Sequence, residues 1–129
     1  MGNKRNSFQK KSFVSGGKSR AHAVGGRMTL IRRMAGCIVR KFHPEKIILF
    51  GSHARGHARA DSDVDLLVVM SVAGSKRRRQ LEIRSSLRRF AVPKDIIVSR
   101  PEEFEWRKNV PGTIERPAML EGKVLYARS

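Results

Sequence analysis

Hydrophobic residues begin to repeat at helical spacing after Met28, and short apolar runs follow at intervals to the end of the chain. The first repeat has members three or four residues apart, which is typical of one buried helix face. Its members are Ile31, Met34, Ile38 and Phe42. His43-Pro44 should end this helix, because the residue before a proline disfavours helical geometry. The apolar run at 46–50 has the length of a buried strand.

The same reasoning predicts alternating strands and helices downstream. Strands are expected at 64–70, 96–98 and 123–126, and helices at 75–90, from Pro101, and from Thr113 to Leu120. Leu81 and Trp106 are expected to pack in the core beside Ile83 and Phe104. Alternation of this kind predicts a single small domain of the α/β (α+β) class, with one mixed sheet flanked by helices.

The charge of the chain is strongly basic and divides it in two. Lys and Arg number 28 against 11 Asp and Glu, which gives a net charge of +17 and favours phosphate-bearing or acidic partners. Residues 1–27 contain seven Lys or Arg and no acidic residue, so we expect a disordered extension ahead of a domain at 28–129. This extension is open to three interpretations: an arm that contacts nucleic acid, a transit peptide, or a segment without a role in the chemistry.

Cysteine and apolar content point to an intracellular protein. Cys37 is the single cysteine, so the sequence cannot form an internal disulfide. The sequence has no apolar run of the roughly 18 residues needed for a membrane span, and residues 1–27 lack the apolar core of a secretory signal. We therefore expect a cytoplasmic location and no membrane partner.

The candidate chemistry lies between Gly51 and Asp65. Asp63 and Asp65 open a strand two residues apart, so their carboxylates project from the same face. Asp95 opens the third strand in the same way, and it joins them if the two strands are neighbours. Two metal ions about 3.5–4 Å apart, held by such carboxylates, can clamp both oxygens of an in-line phosphoryl displacement. Oxygen ligands suit Mg²⁺, and Mn²⁺ accepts them too.

Gly51 and Ser52 supply a turn between the first strand and this acidic segment. Glycine lets the backbone approach a phosphate closely, and a serine hydroxyl and backbone N–H groups can hydrogen-bond it. Arg55 adds positive charge near a triphosphate. Either motif alone is weak, but Gly-Ser followed by Asp-x-Asp, with a strand on each side and a later aspartate at a strand start, is specific.

These residues give the chain a resemblance to the minimal nucleotidyltransferases of the DNA polymerase β-like superfamily. The similarity runs from about residue 28 to residue 128 and includes KIILFGS at 46–52, ARG at 54–56, SDVDLLVV at 62–69 and the segment at 111–128. It implies that Asp63 and Asp65 bind both metals, and that Asp95 binds one of them and helps to activate the acceptor hydroxyl. It also implies that Gly51 and Ser52 hold the triphosphate. His53 is a departure, since relatives commonly carry arginine there.

The resemblance further implies a function. Relatives of this size commonly pair with a helical HEPN-type protein as antitoxin and toxin, which implies transfer of AMP from ATP to a hydroxyl on that partner. Two alternatives remain open: a non-catalytic antitoxin that occludes its partner, and a basic nucleic-acid-binding protein whose affinity falls steeply with salt.

Overall fold

The computed structural model describes residues 19–59 and 61–129. Its elements in chain order are α1 (Ser19–Phe42), β1 (Lys46–Phe50), α2 (Ser52–Arg55), β2 (Val64–Val69), α3 (Lys76–Ser86), β3 (Lys94–Ser99), α4 (Pro101–Arg107), α5 (Glu115–Glu121) and β4 (Lys123–Ala127). The chain divides into two units, Met1–Leu30 and Ile31–Ser129, and all of the strands named above lie in the second. Within the described part of the chain, every helix is too short or too polar to cross a membrane.

The four strands form one mixed sheet in the order β3-β2-β1-β4. β1 pairs antiparallel with both β2 and β4, whereas β2 and β3 run parallel. A parallel pair needs a long crossover connection, and α3 lies in the segment that joins these two strands. The class predicted from the sequence, a mixed sheet flanked by helices, is confirmed.

The two faces of the sheet bury different sets of residues because side chains alternate along each strand. One face carries Ile48, Leu67, Val69 and Ile97, against which Phe104 of α4 and Ala118 of α5 pack. The opposite face carries Ile47, Leu49, Leu66, Val68, Ile96 and Val98, all buried. The buried side chains of α1, of α3 and of the residue that follows α3 complete this second layer: Ile31, Met34, Ile38, Ile83 and Leu87.

Most predicted boundaries agree with the structure, and the first helix is the main difference. The strand expected at 46–50 forms with those bounds, and α1 ends at Phe42 as the His43-Pro44 pair predicts. However, α1 begins at Ser19, ahead of Met28. The extension predicted for residues 1–27 otherwise falls on residues outside the described ranges.

Two of the residues predicted to lie in the core are exposed. Leu81 of α3 is 55% exposed and Trp106 of α4 is 58% exposed. Each stands two positions from a buried neighbour on the same helix, Ile83 or Phe104. Two residues correspond to about 200° of rotation around an α-helix, so both members of such a pair cannot face one core. The interpretation of Leu81 and Trp106 as core residues was wrong for this reason.

A buried polar network fixes α5 against the sheet. Ser99 at the end of β3 donates its hydroxyl to Glu115 Oε2 at 2.8 Å, and Arg107 Nε donates to Glu115 Oε1 at 3.1 Å. Gly122 then ends α5 in a crowded position, where an added Cβ would lie 2.3 Å from the Ala118 carbonyl oxygen and 2.6 Å from Ile48 Cγ2. The end of α5 is therefore held close to β1.

Candidate active site

Two of the predicted carboxylates lie side by side at one end of the sheet. Asp65 of β2 and Asp95 of β3 are register partners on parallel strands, and Phe50 of β1 faces Asp65 from the other side. Neighbouring strands are about 4.8 Å apart, and cross-strand partners point to the same face. This row lies on the face that α4 and α5 cover. It is the next row on that face after the buried row of Ile48, Leu67 and Ile97, two residues away along each strand.

Asp63 completes this group, which we call the carboxylate row: Asp63, Asp65 and Asp95. Asp63 directly precedes β2, two positions before Asp65, which places it toward the same face. Asp63 and Asp95 are exposed, and Asp65 is partly buried. The structure thus places the three aspartates named from the sequence near one another. The pairing of β2 with β3, which the sequence analysis had to assume, is present.

The electrostatics of Asp65 reflect this crowding. Burial is the largest cause that raises the pKa of Asp65, and the nearby Asp95 and Asp63 raise it further, while His53 and Arg55 act in the opposite direction. The ion pairs among the described residues join Lys or Arg to glutamates, and none of them includes a member of the carboxylate row. Within residues 19–59 and 61–129, these adjacent carboxylates therefore have no protein cation in direct contact.

Gly51 packs directly against Asp65. Its backbone has φ 77° and ψ −157°, a region that is open essentially to glycine alone. A Cβ at this position would lie 2.3 Å from Asp65 Oδ2, so the carboxylate occupies the space that a side chain would need. The turn after β1 is therefore in van der Waals contact with the carboxylate row.

The short helix α2 carries the other predicted contacts. Ser52 is its first residue, and its carbonyl accepts a hydrogen bond from the His57 N–H at 3.0 Å. A ring nitrogen of His53, Nε2, lies 3.2 Å from the Ser62 carbonyl oxygen, which ties the start of this connection to its end. His53 thus contacts the loop that leads into Asp63.

Arg55 is already engaged by a residue that the sequence did not suggest. Its Nη1 lies 3.4 Å from Glu121 Oε1, and the two side chains are 48% and 52% exposed. Exposed pairs of this kind contribute only about 0–1 kcal/mol, so a triphosphate can compete for Arg55. Glu121 lies at the end of α5, 66 residues away, and no local pattern links it to the site.

The donor set of the row consists of carboxylate oxygens alone, which is the chemistry that Mg²⁺ and Mn²⁺ accept. Across residues 19–59 and 61–129, no three His, Cys, Asp or Glu side chains are close enough together to hold an ion by themselves. Magnesium sites commonly use one or two carboxylates and complete their shell with water and substrate phosphates. The residues present therefore fit an ion that is shared with a bound nucleotide.

Comparison with known proteins identifies the family of the chain. Residues 31–119 match the family described as nucleotidyltransferase domain. The chain is also 35% identical over 83 residues to a protein of Methanocaldococcus jannaschii named "Putative protein adenylyltransferase". That alignment covers 64% of this chain and 78% of the relative.

Solved structures share the fold. A crystal structure of a "putative nucleotidyltransferase" from Sulfolobus solfataricus superposes with a TM-score of 0.60 at 22% identity, and the match covers 89% of this chain and 93% of that one. A structure described as a toxin-antitoxin with AMP-PNP superposes with a TM-score of 0.55 at 16% identity, covering 76% and 74% of the two chains. At these identities the similarity establishes the architecture.

Proposed function

This chain belongs to the nucleotidyltransferase domain family, and from that premise we propose that it transfers AMP from ATP to a hydroxyl group on a partner protein. The relative named as a protein adenylyltransferase supports both the adenylyl group and the protein acceptor. The observation that carries the proposal is the contact of Gly51 with the carboxylate row. This contact places the proposed phosphate-binding turn next to the proposed metal-binding carboxylates.

Asp63, Asp65 and Asp95 would hold two divalent ions, Mg²⁺ or Mn²⁺. Asp63 and Asp65 would bind both ions, and Asp95 would bind one of them from the adjacent strand. Support comes from the pKa of Asp65, which burial raises first and the neighbouring Asp95 and Asp63 raise further, because a bound cation would stabilise the ionised carboxylate. When bound, the ions would neutralise the carboxylates and stabilise the negative charge that develops on the transferred phosphate.

The proposed reaction is an in-line displacement at the α-phosphorus of ATP. The acceptor oxygen forms a bond to phosphorus, the bond to the bridging oxygen breaks, and pyrophosphate leaves. The hydroxyl proton passes to a base at the site, for which the exposed carboxylate of Asp95 is the proposed group. Most of the rate enhancement in such a transfer comes from positioning and charge stabilisation.

Gly51, Ser52 and Arg55 would bind the nucleotide. Gly51 holds this turn against the carboxylate row, and the Ser52 hydroxyl and N–H can donate to phosphate oxygens. Arg55 would exchange Glu121 for the triphosphate, since its present ion pair is solvent-exposed and weak.

The proposed protein partner is a helical HEPN-type toxin, for which this chain would be the antitoxin. The nucleotide-bound toxin-antitoxin structure that shares this fold is consistent with such an assembly.

The proposal is tested by incubating the protein and Mg²⁺ with a lysate of its source organism and ATP radiolabelled on the α-phosphate. Wild type should label a discrete protein band. Asp63→Ala/Asp65→Ala should label it at least about 100-fold less, because metal binding supplies several kcal/mol of charge stabilisation. Asp61→Ala is the matched control, since Asp61 is exposed and stands outside the carboxylate row.

Equal labelling by the double variant would exclude catalysis at the carboxylate row. No label with any common nucleoside triphosphate would instead favour the alternative of a non-catalytic antitoxin. In that case a partner should co-purify equally well with wild type and with Asp63→Ala/Asp65→Ala.

A further inference from the structure

The outer side of α3 carries a concentration of positive charge away from the carboxylate row. Two open depressions adjoin there, with volumes of about 460 and 280 Å³. Ser85 and Arg88 line both, so the two form one continuous surface, which we call the α3 groove. Its residues are Lys41, Leu81, Arg84, Ser85, Ser86, Arg88, Arg89 and Lys94, with the single acid Glu82.

Acidic side chains of the described residues do not neutralise the positive charge of the α3 groove. Glu82 is already paired with Arg78 and Arg79, at 3.9 and 3.4 Å. In the described part of the chain, none of the five groove cations takes part in an ion pair. The cations come from α1, from α3 and its following turn, and from the start of β3. They are thus spread along a surface rather than gathered around one point.

The crowding of these cations favours a bound anion. Arg84 and Lys94 line the same depression, so two positive charges lie near each other there. Lys94 Nζ donates to the Phe90 carbonyl at 3.0 Å, which holds the ammonium group in place at the edge of the groove. An anion between Lys94 and Arg84 would relieve their repulsion.

We propose that the α3 groove binds the phosphodiester backbone of a nucleic acid. Arginine, lysine and serine are the side chains that contact phosphate oxygens, and the groove presents all three. An acidic protein fits less well, because the centre of a protein interface is depleted of charge, and Leu81 at the margin is the one apolar residue in the groove. The groove also lacks aromatic side chains for stacking bases, and contacts to phosphate carry no sequence information, so we expect binding that does not depend on sequence.

The α3 groove is separate from the proposed transfer site. Lys94 and Asp95 are consecutive residues of β3, so their side chains leave opposite faces of the sheet. Nucleic acid bound along α3 leaves the carboxylate row free for nucleotide. The inference therefore stands independently of the transfer reaction, and its test contains no nucleoside triphosphate.

The test is fluorescence anisotropy with labelled, unstructured RNA and DNA strands of about 12 nucleotides, a length within the range of single-strand sites. Lys41→Ala/Arg84→Ala/Arg88→Ala removes three exposed cations from the groove. The matched control, Arg32→Ala/Arg33→Ala/Lys123→Ala, removes the same charge from exposed positions elsewhere. Thermal unfolding of both variants verifies that each remains folded.

The groove variant should bind at least about tenfold more weakly at 0.1 M salt, and the slope of log K against log salt should fall by about 2. Restoring charge with Lys41→Arg/Arg84→Lys/Arg88→Lys should recover most of the affinity, and the control should stay within about twofold of wild type.

Equal losses in both alanine variants would overturn the proposal, because net charge alone would then explain binding. Tighter binding of a polyglutamate peptide of equal charge would overturn it in favour of an acidic protein. The RNA and DNA strands show which backbone the groove prefers.

Discussion

At the scale of single residues, the contact between Gly51 and Asp65 sets the strictest requirement on the sequence. The carboxylate of Asp65 fills the space beside Gly51, and the backbone there adopts a conformation nearly exclusive to glycine. Gly56 offers a matched comparison, since it also has a positive φ of 78° but nothing lies within 4 Å of its added Cβ. Comparing alanine substitutions at Gly51 and Gly56 therefore separates the effect of backbone strain from the effect of displacing the Asp65 carboxylate.

We expect Gly51→Ala to lower the free energy of unfolding by about 2–4 kcal/mol, from strain plus the clash, and Gly56→Ala to lower it by about 1–2 kcal/mol, from strain alone. Only Gly51→Ala should also abolish labelling and the rise in melting temperature with Mg²⁺ and ATP. Calorimetry and the labelling assay measure both effects. Retention of full labelling by Gly51→Ala would show that the turn does not contribute to the site.

Asp65 makes the stability of the protein depend on pH in a defined direction. Its pKa is raised, first by burial and then by Asp95 and Asp63. The fold therefore favours the protonated carboxyl, so its stabilising contribution is complete below the ordinary pKa of 3.8 and is lost as pH rises through the higher folded value. At neutral pH the ionised Asp65 destabilises the metal-free protein.

Asp65→Asn should consequently raise the free energy of unfolding at pH 7, by up to about 1 kcal/mol, since solvent screens a half-exposed group. The gain should shrink as the pH is lowered toward 3.8. Melting temperatures of wild type and variant across this pH range measure it, with Asp61→Asn as the control. A loss of stability at pH 7 would contradict the assigned cause.

At the scale of elements, α5 is positioned by the buried network of Ser99, Glu115 and Arg107. Glu115 accepts from both partners and is 4% exposed, and the Ser99 hydroxyl is fully buried. The same helix ends with Glu121, which contacts Arg55. The network therefore fixes the element that borders the proposed nucleotide site.

Glu115→Ala should lower the free energy of unfolding by about 1–3 kcal/mol, because it removes a buried acceptor and leaves the Ser99 hydroxyl only its long 3.5 Å contact with the Arg100 carbonyl. Glu105→Ala is the control: Glu105 pairs with Lys108 at 2.9 Å on the neighbouring helix but is exposed, and its removal should change stability by less than about 1 kcal/mol. Urea denaturation of both variants measures the difference. Equal effects would show that burial does not distinguish the two pairs.

Local patterns in the sequence predict the helices and strands better than they predict the contacts between those elements. The turn signal at Gly51 and the apolar run before it predict the bounds of β1, and the spacing of Asp63 and Asp65 predicts their shared face. The register of Asp65 with Asp95 depends on strand order, and the pairing of Arg55 with Glu121 joins residues 66 positions apart. Neither contact leaves a signal in local periodicity, and the exposure of Leu81 and Trp106 depends on which helix face meets the sheet.

At the scale of the whole molecule, the excess of positive charge is distributed unevenly. The net charge of +17 predicts an anionic partner but gives no location for it. The sheet provides that location, because it separates the carboxylate row on one face from the α3 groove on the other. One small domain thus presents an acidic surface and a basic surface on opposite sides of its sheet.

The parallel pairing of β2 with β3 also has a consequence for when the site comes into existence. Asp65 and Asp95 become neighbours only after the chain between them, including α3, has formed its crossover. Contacts between residues distant in sequence form slowly, because the entropy of closing the intervening loop is lost before the contact forms. A newly synthesised chain therefore holds these carboxylates apart until β3 and the crossover that precedes it have formed.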